Sequence, residues 1–77
     1  MDTALRLCDI APGDSCVVRE LTTTGSMRRR LLDIGLVENT PVYCIGKSPG
    51  GDPAAYLICG AVIAIRATDA ATVLVSR

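Results

Sequence analysis

Along most of this chain apolar residues alternate with polar ones or form short runs, as in strands; one stretch, residues 27–36, changes to a helical period. Met27, Leu31 and Ile34 stand at i, i+4 and i+7, Leu32 widens the same stripe, and Arg28, Arg29, Arg30 and Asp33 fill the remaining arc. Ser26 can cap the first turn by accepting a backbone N–H. Gly35 can take the left-handed conformation that closes a helix, with Leu36 folding back over it. The spacing therefore predicts one amphipathic helix over 27–36, with a core face and a water or partner face.

The rest of the pattern predicts short strands. Ala4 to Ile10 fits a short helical or 3₁₀ segment that ends before Pro12, and Ala11-Pro12-Gly13-Asp14 is a turn. Ser15 to Leu21 reads as the first strand. Its alternation breaks where Cys16, Val17 and Val18 run together, which implies a bulge or burial on both faces. Polar connectors at 22–25 and 37–40 flank the helix, and Pro41 opens the second strand, Val42 to Ile45. Ser48-Pro49-Gly50-Gly51-Asp52-Pro53 is a longer hairpin loop leading into the third strand, Ala54 to Cys59. Gly60-Ala61 then predicts a two-residue type II′ turn into the fourth strand, Val62 to Ile65. A helical turn over 67–71, which Thr68 can cap, precedes the closing strand, Thr72 to Val75. The expected fold is mainly β: a small barrel of about five strands, with the helix inserted after the first and a short helical turn at the N-terminus.

Length and composition sharpen this picture. Seventy-seven residues make one domain, 1–77, burying roughly 60% of the surface the unfolded chain exposes. Hydrophobic residues are 49% of the chain but aromatics only 3%, so aliphatic side chains must fill the core. Eight basic and eight acidic residues cancel, which argues against general attraction to nucleic acid or to an anionic membrane. No apolar run is long enough to span a membrane and the N-terminus lacks a charged lead and apolar segment, so a cytoplasmic protein is expected.

Three pieces of the chain, taken in order, resemble the FeoA family of ferrous iron transport proteins. They are Arg30-Leu31-Leu32-Asp33-Ile34-Gly35-Leu36, Gly51-Asp52-Pro53, and Gly60 followed by Ile63-Ala64-Ile65-Arg66. The opening Leu7 to Gly13 and the closing Val73 and Val75 are similar to that family's ends. The resemblance implies an SH3-like barrel in the cytoplasm. It implies an accessory to the FeoB-type ferrous iron transporter, whose cytoplasmic portion carries a GTP-binding domain, and no catalysis by this chain. Similar domains occur at the C-terminus of metal-dependent transcriptional repressors, so the alternative function is a regulatory module working with such a repressor. On this view Arg30, Leu31, Leu32, Gly35, Gly51, Asp52, Pro53 and Gly60 serve the fold.

Candidate binding residues follow from the strand pattern. If Tyr56 and Ile58 point inward, alternation turns Ala55, Leu57 and Cys59 outward, where family members often carry polar side chains. Cys59 would oppose Val62 and Leu57 would oppose Ala64, giving one hairpin an apolar outer surface suited to a partner or to self-association. Arg28 and Arg29 form a second candidate patch, for an acidic surface or phosphate. Three successive helical residues fan over about 200°, however, so they cannot all meet one flat partner. Asp33 is spaced to pair with Arg29 or Arg30.

Metal and enzyme chemistry have less support. The cysteines at 8, 16, 44 and 59 lack Cys-x-x-Cys spacing and the chain has no histidine, so neither a cofactor nor a metal site is expected. Transient association with ferrous iron, a transition metal that thiolates can bind, finds no support in that spacing. The thiols read as reduced, small buried hydrophobes, Cys59 excepted. The Pro49 to Asp52 loop lacks the Gly-Lys-Ser/Thr ending of a phosphate loop. With a single lysine, Lys47, and scattered carboxylates, no nucleophile and base come together.

Overall fold

The computed structural model describes residues 5–77; Met1–Ala4, on which part of the reading of the N-terminus rests, lie outside the described residues. A six-stranded antiparallel sheet runs in the order β1-β6-β2-β3-β4-β5. Its strands are β1 (Leu5–Arg6), β2 (Ser15–Leu21), β3 (Pro41–Lys47), β4 (Ala54–Ile58), β5 (Ala61–Ile65) and β6 (Val73–Ser76). A 3₁₀ turn, Leu7–Asp9, follows β1, helix α1 (Gly25–Asp33) lies between β2 and β3, and the four-residue helix α2 (Ala67–Ala70) lies between β5 and β6. One more strand is present than the five expected, because the two residues of β1 pair with β6 before the chain tightens into the 3₁₀ turn.

Strand β2 explains its own irregular pattern. Its first residues pair with β3 and its later ones with β6, and the register with β6 shifts between Val18 and Glu20. Arg19 is thus the extra residue of a bulge, and the buried positions run Cys16, Val18, Leu21 instead of keeping a strict period of two. A second shift, between Cys44 and Gly46 of β3, leaves Ile45 outside the ladder with β4.

Helix α1 starts earlier and stops sooner than its apolar spacing suggests. Thr24, not Ser26, is the N-cap; it makes no side-chain cap bond, and Gly25 follows at φ +67°. At the other end the Gly35 N–H donates to the Leu32 carbonyl and the Leu36 N–H to the Leu31 carbonyl, at 3.0 and 3.1 Å. This pair of bonds is a Schellman closure, with Gly35 at φ +107°. Leu36 is consequently delivered into the core, fully buried beside Leu31. Asp33 makes no ion pair with Arg29 or Arg30: the ion pair among the described residues is Arg6 with Asp9, at 3.4 Å.

The core is one cluster. Tyr56 is its largest side chain, 1% exposed, and its hydroxyl donates to the Leu7 carbonyl at 3.4 Å, joining β4 to the 3₁₀ turn. Burial pushes the Tyr56 phenol up to about 12 and the Cys16 thiol up to about 11, in both cases because a charge there would lose its water. Cys16 and Cys44 are buried among aliphatic side chains.

The 48–53 loop reaches further than a simple hairpin tip. Ser48 accepts the Gly51 N–H on its carbonyl, while its own N–H and hydroxyl donate to the Pro53 carbonyl. Asp52 accepts the Ala67 N–H on its carboxylate at 2.9 Å. The expected cap at Thr68 is therefore replaced by a carboxylate from fifteen residues upstream, seated on the first N–H of α2.

Candidate functional site

Strands β4 and β5 divide their side chains cleanly between two faces. Ala54, Tyr56 and Ile58 are buried; Ala55 and Leu57 are half-buried on the opposite, outer face. The turn between the strands differs from the expected one by a residue. Cys59 and Gly60, at φ +50° and +82°, are its two central residues, so it is type I′ and Ala61 belongs to β5.

That single step moves every cross-strand pair. Leu57 lies opposite Val62, Ala55 opposite Ala64, and Ile58 opposite Ala61. Cys59 leaves the outer face for the turn, where its sulfur packs over Gly35: a Cβ on that glycine would lie 2.8 Å from the Cys59 Sγ. The apolar outer surface itself exists and is wider than the hairpin. Tyr43 of β3 pairs with Leu57, so the patch runs from Tyr43 and Ile45 across Ala55 and Leu57 to Val62 and Ala64. Tyr43 is 48% exposed, Ile45 53% and Val62 65%. The pattern of the second strand, with Tyr43 and Ile45 alternating against Val42 and Cys44, carried the signal that could have widened the prediction.

The three arginines of α1 are separated in space. Arg28 donates to the Leu21 carbonyl at 3.4 Å and lines a recess whose lining also includes Glu20 and Glu38. Arg29 is exposed on the helix. Arg30, expected to serve the fold, is exposed too and lines a groove of about 320 Å³ between α1, β5 and α2. Leu31 packs in the core with Leu32 against it, while Gly35 and Asp52 make the specific backbone and carboxylate contacts described above.

Metal chemistry finds no built site: among the described residues no three Cys, Asp or Glu side chains gather where they could hold an ion. Buried and raised to about 11, the Cys16 thiol is held protonated, which suits packing and not ligation. None of the described helices is long and apolar enough to cross a membrane.

The profile of the FeoA domain matches residues 5–77, nearly the whole chain. This chain belongs to the FeoA family. A Fe(2+) transport protein A/Fe(2+) transporter FeoB fusion protein of Porphyromonas gingivalis is 30% identical over 69 residues, covering 90% of this chain. This chain spans only 8% of that fusion's length. Among solved structures, the FeoA-like protein of Clostridium acetobutylicum has a TM-score of 0.88 at 29% identity, covering 99% of this chain and 88% of that one. FeoA of Stenotrophomonas maltophilia, solved with zinc and described as a prokaryotic SH3 domain protein, has a TM-score of 0.85 at 27% identity, covering 95% and 91%. The FeoA fold seen here is SH3-like, as the family resemblance implied.

Proposed function

We propose that this chain is a cytoplasmic accessory of bacterial ferrous iron uptake. It binds the cytoplasmic, GTP-binding portion of a FeoB-type transporter and changes the transporter's assembly or activity. The observation that carries this reading is the fusion relative, in which a transport protein A and a FeoB transporter share one polypeptide. Two modules joined in that way work at high effective concentration, and separate chains with the same task need a docking surface instead. The outer face of β3, β4 and β5 suits that role, because Tyr43, Ile45 and Val62 remain exposed although the fold gains nothing from exposing them. The S. maltophilia FeoA, for which a role as a bacterial ferrous iron transport activating factor has been put forward, supports the same direction. The proposed action is by binding: the chain has no histidine, and the buried Cys16 thiol and Tyr56 phenol are pushed up in pKa by burial.

The test is binding of the full chain to the partner's cytoplasmic portion, loaded with GDP or with a non-hydrolysable GTP analogue. Val62→Asp and Leu57→Asp are expected to weaken binding by about tenfold or more, with the folded state verified by amide spectra. A difference between the two nucleotide states makes the protein a switch; equal affinity makes it a scaffold. Full affinity in both folded variants would take this face out of the interface. Concentration-dependent sedimentation of the free chain, abolished by the same variants, would assign the face to self-association.

A further inference from the structure

The groove beside Arg30 has a backbone feature that the outer face lacks. β5 is the last strand of the sheet, and among the described residues it pairs only with β4. In a hairpin closed by a two-residue turn, the residues flanking the turn form a hydrogen-bonded pair and the pairs alternate from there. Ile58 with Ala61, Tyr56 with Ile63, and Ala54 with Ile65 are then the bonded pairs. The N–H and C=O groups of Val62 and Ala64 consequently point away from β4, along the free edge. Five residues long, Ala61-Val62-Ile63-Ala64-Ile65 contains no charge and no proline, and its ladder with β4 is unbroken by a bulge, so the strand itself carries none of the features that guard an edge.

Something nevertheless flanks it. The groove runs between this edge and α1, with Met27, Ile34 and Ile63 as its apolar lining and Arg30 and Arg66 as its cations, against one acidic side chain, Asp69. In a chain of zero net charge, this is a local positive excess beside unsatisfied strand donors and acceptors. We infer that the β5 edge accepts an extended acidic peptide segment as an added strand, the backbone of Val62 and Ala64 pairing with it and Arg30 and Arg66 receiving its carboxylates. Strand addition of this kind derives affinity from main-chain hydrogen bonds and selectivity from flanking side chains. The site is separate from the apolar patch, although Val62 and Ala64 contribute side chains to one and backbone to the other, and it stands whether or not the transporter is the partner.

The probe is a capped heptapeptide of alternating glutamate and valine, labelled with a fluorophore. Comparison probes are its lysine–valine counterpart and a version N-methylated at alternate residues, which cannot pair as a strand. With the full chain, the acidic peptide is expected to slow hydrogen exchange at the amides of Val62 and Ala64. The lysine peptide should bind about tenfold more weakly, and the N-methylated one should lose binding. Arg30→Ala and Arg66→Ala, both at exposed positions, should each weaken the acidic peptide several-fold without altering exchange in the free protein. Any of the following would overturn the inference: no binding, equal binding of the acidic and lysine peptides, binding of the N-methylated peptide, or protection confined to other strands. Concentration-dependent protection of Val62 and Ala64 without peptide would also overturn it, by giving the edge to a second copy of the chain.

Discussion

The two tyrosines of this chain stand on neighbouring strands of one sheet and have opposite fates. Tyr56 is enclosed, hydrogen-bonded to the Leu7 carbonyl and surrounded by core residues; Tyr43 lies on the other face, half in water. A small domain short of aromatics has used one ring where volume and a polar handle are both needed. The other ring sits where the fold needs neither, together with Ile45, Leu57 and Val62. Burial explains the inner face, whereas the outer face leaves Tyr43, Ile45 and Val62 exposed, which is the basis for proposing it as a docking surface.

That contrast can be broken most directly by truncating each ring. Tyr56→Ala is expected to cost about 3–5 kcal/mol, enough to unfold much of a domain this small, while Tyr43→Ala should cost about 0.5 kcal/mol or less. Urea unfolding of both variants measures the difference. Comparable losses would mean that the outer face is structural and would remove the reason for assigning it to a partner.

A second test asks where the inner packing ends. Gly35 combines φ +107° with a missing Cβ that would meet Cys59 Sγ at 2.8 Å and Ile58 Cγ2 at 3.1 Å. Gly35→Ala should therefore destabilise by about 1–3 kcal/mol. Adding Cys59→Ala should restore part of that loss, because one of the two clashes goes while the backbone strain stays. A double-mutant cycle by thermal or urea unfolding reads the coupling, and strict additivity would place Cys59 with the exposed turn instead of the helix end.

The smallest expected effect is a pH dependence that belongs to the inner face alone. Cys16 is raised from 9.0 to about 11 and Tyr56 from 10.0 to about 12, so the folded state holds protons that the unfolded chain releases. Stability from these groups is intact below pH 9 and is lost as pH rises through 9 to 11 for Cys16 and 10 to 12 for Tyr56. A fall of about 1–2 kcal/mol between pH 8 and 10 is expected. Cys16→Ala should flatten the first part of that decline, and an unchanged profile in this variant would show that Cys16 is not its source.

Much of this arrangement was readable from residue order because local rules and burial agreed. Gly35 followed by Leu36 announced a helix end with an apolar return, and the Schellman bonds are there. Crowding at Cys16, Val17 and Val18 announced an irregular strand, and the bulge at Arg19 is its form. The β4–β5 turn lies one residue before the place that Gly60 suggests, because the left-handed conformation also falls on Cys59, a residue type that seldom adopts it. Contacts distant in sequence were not legible at all. Nothing local indicates that Asp52 caps α2, that Arg28 bonds to the Leu21 carbonyl, or that Arg30 faces a groove. Such contacts depend on how elements meet, and periodicity within one element carries no record of its neighbour.

The Asp52 to Ala67 bond sets an asymmetric rule for remodelling the surface loop that contains it. Pro49 and Gly50 are exposed and lie before the carboxylate, so an insert between them opens the turn that the Gly51 N–H and the Ser48 carbonyl close but keeps Asp52 in the chain to reach α2. Deleting Gly51 or Asp52 instead withdraws the carboxylate from a helix of only four residues. The loop thus has a minimum length fixed by a helix outside its own hairpin, and its base, Ser48 and Pro53, shares a recess with Ile45, Ala55 and Ala64 of the outer face.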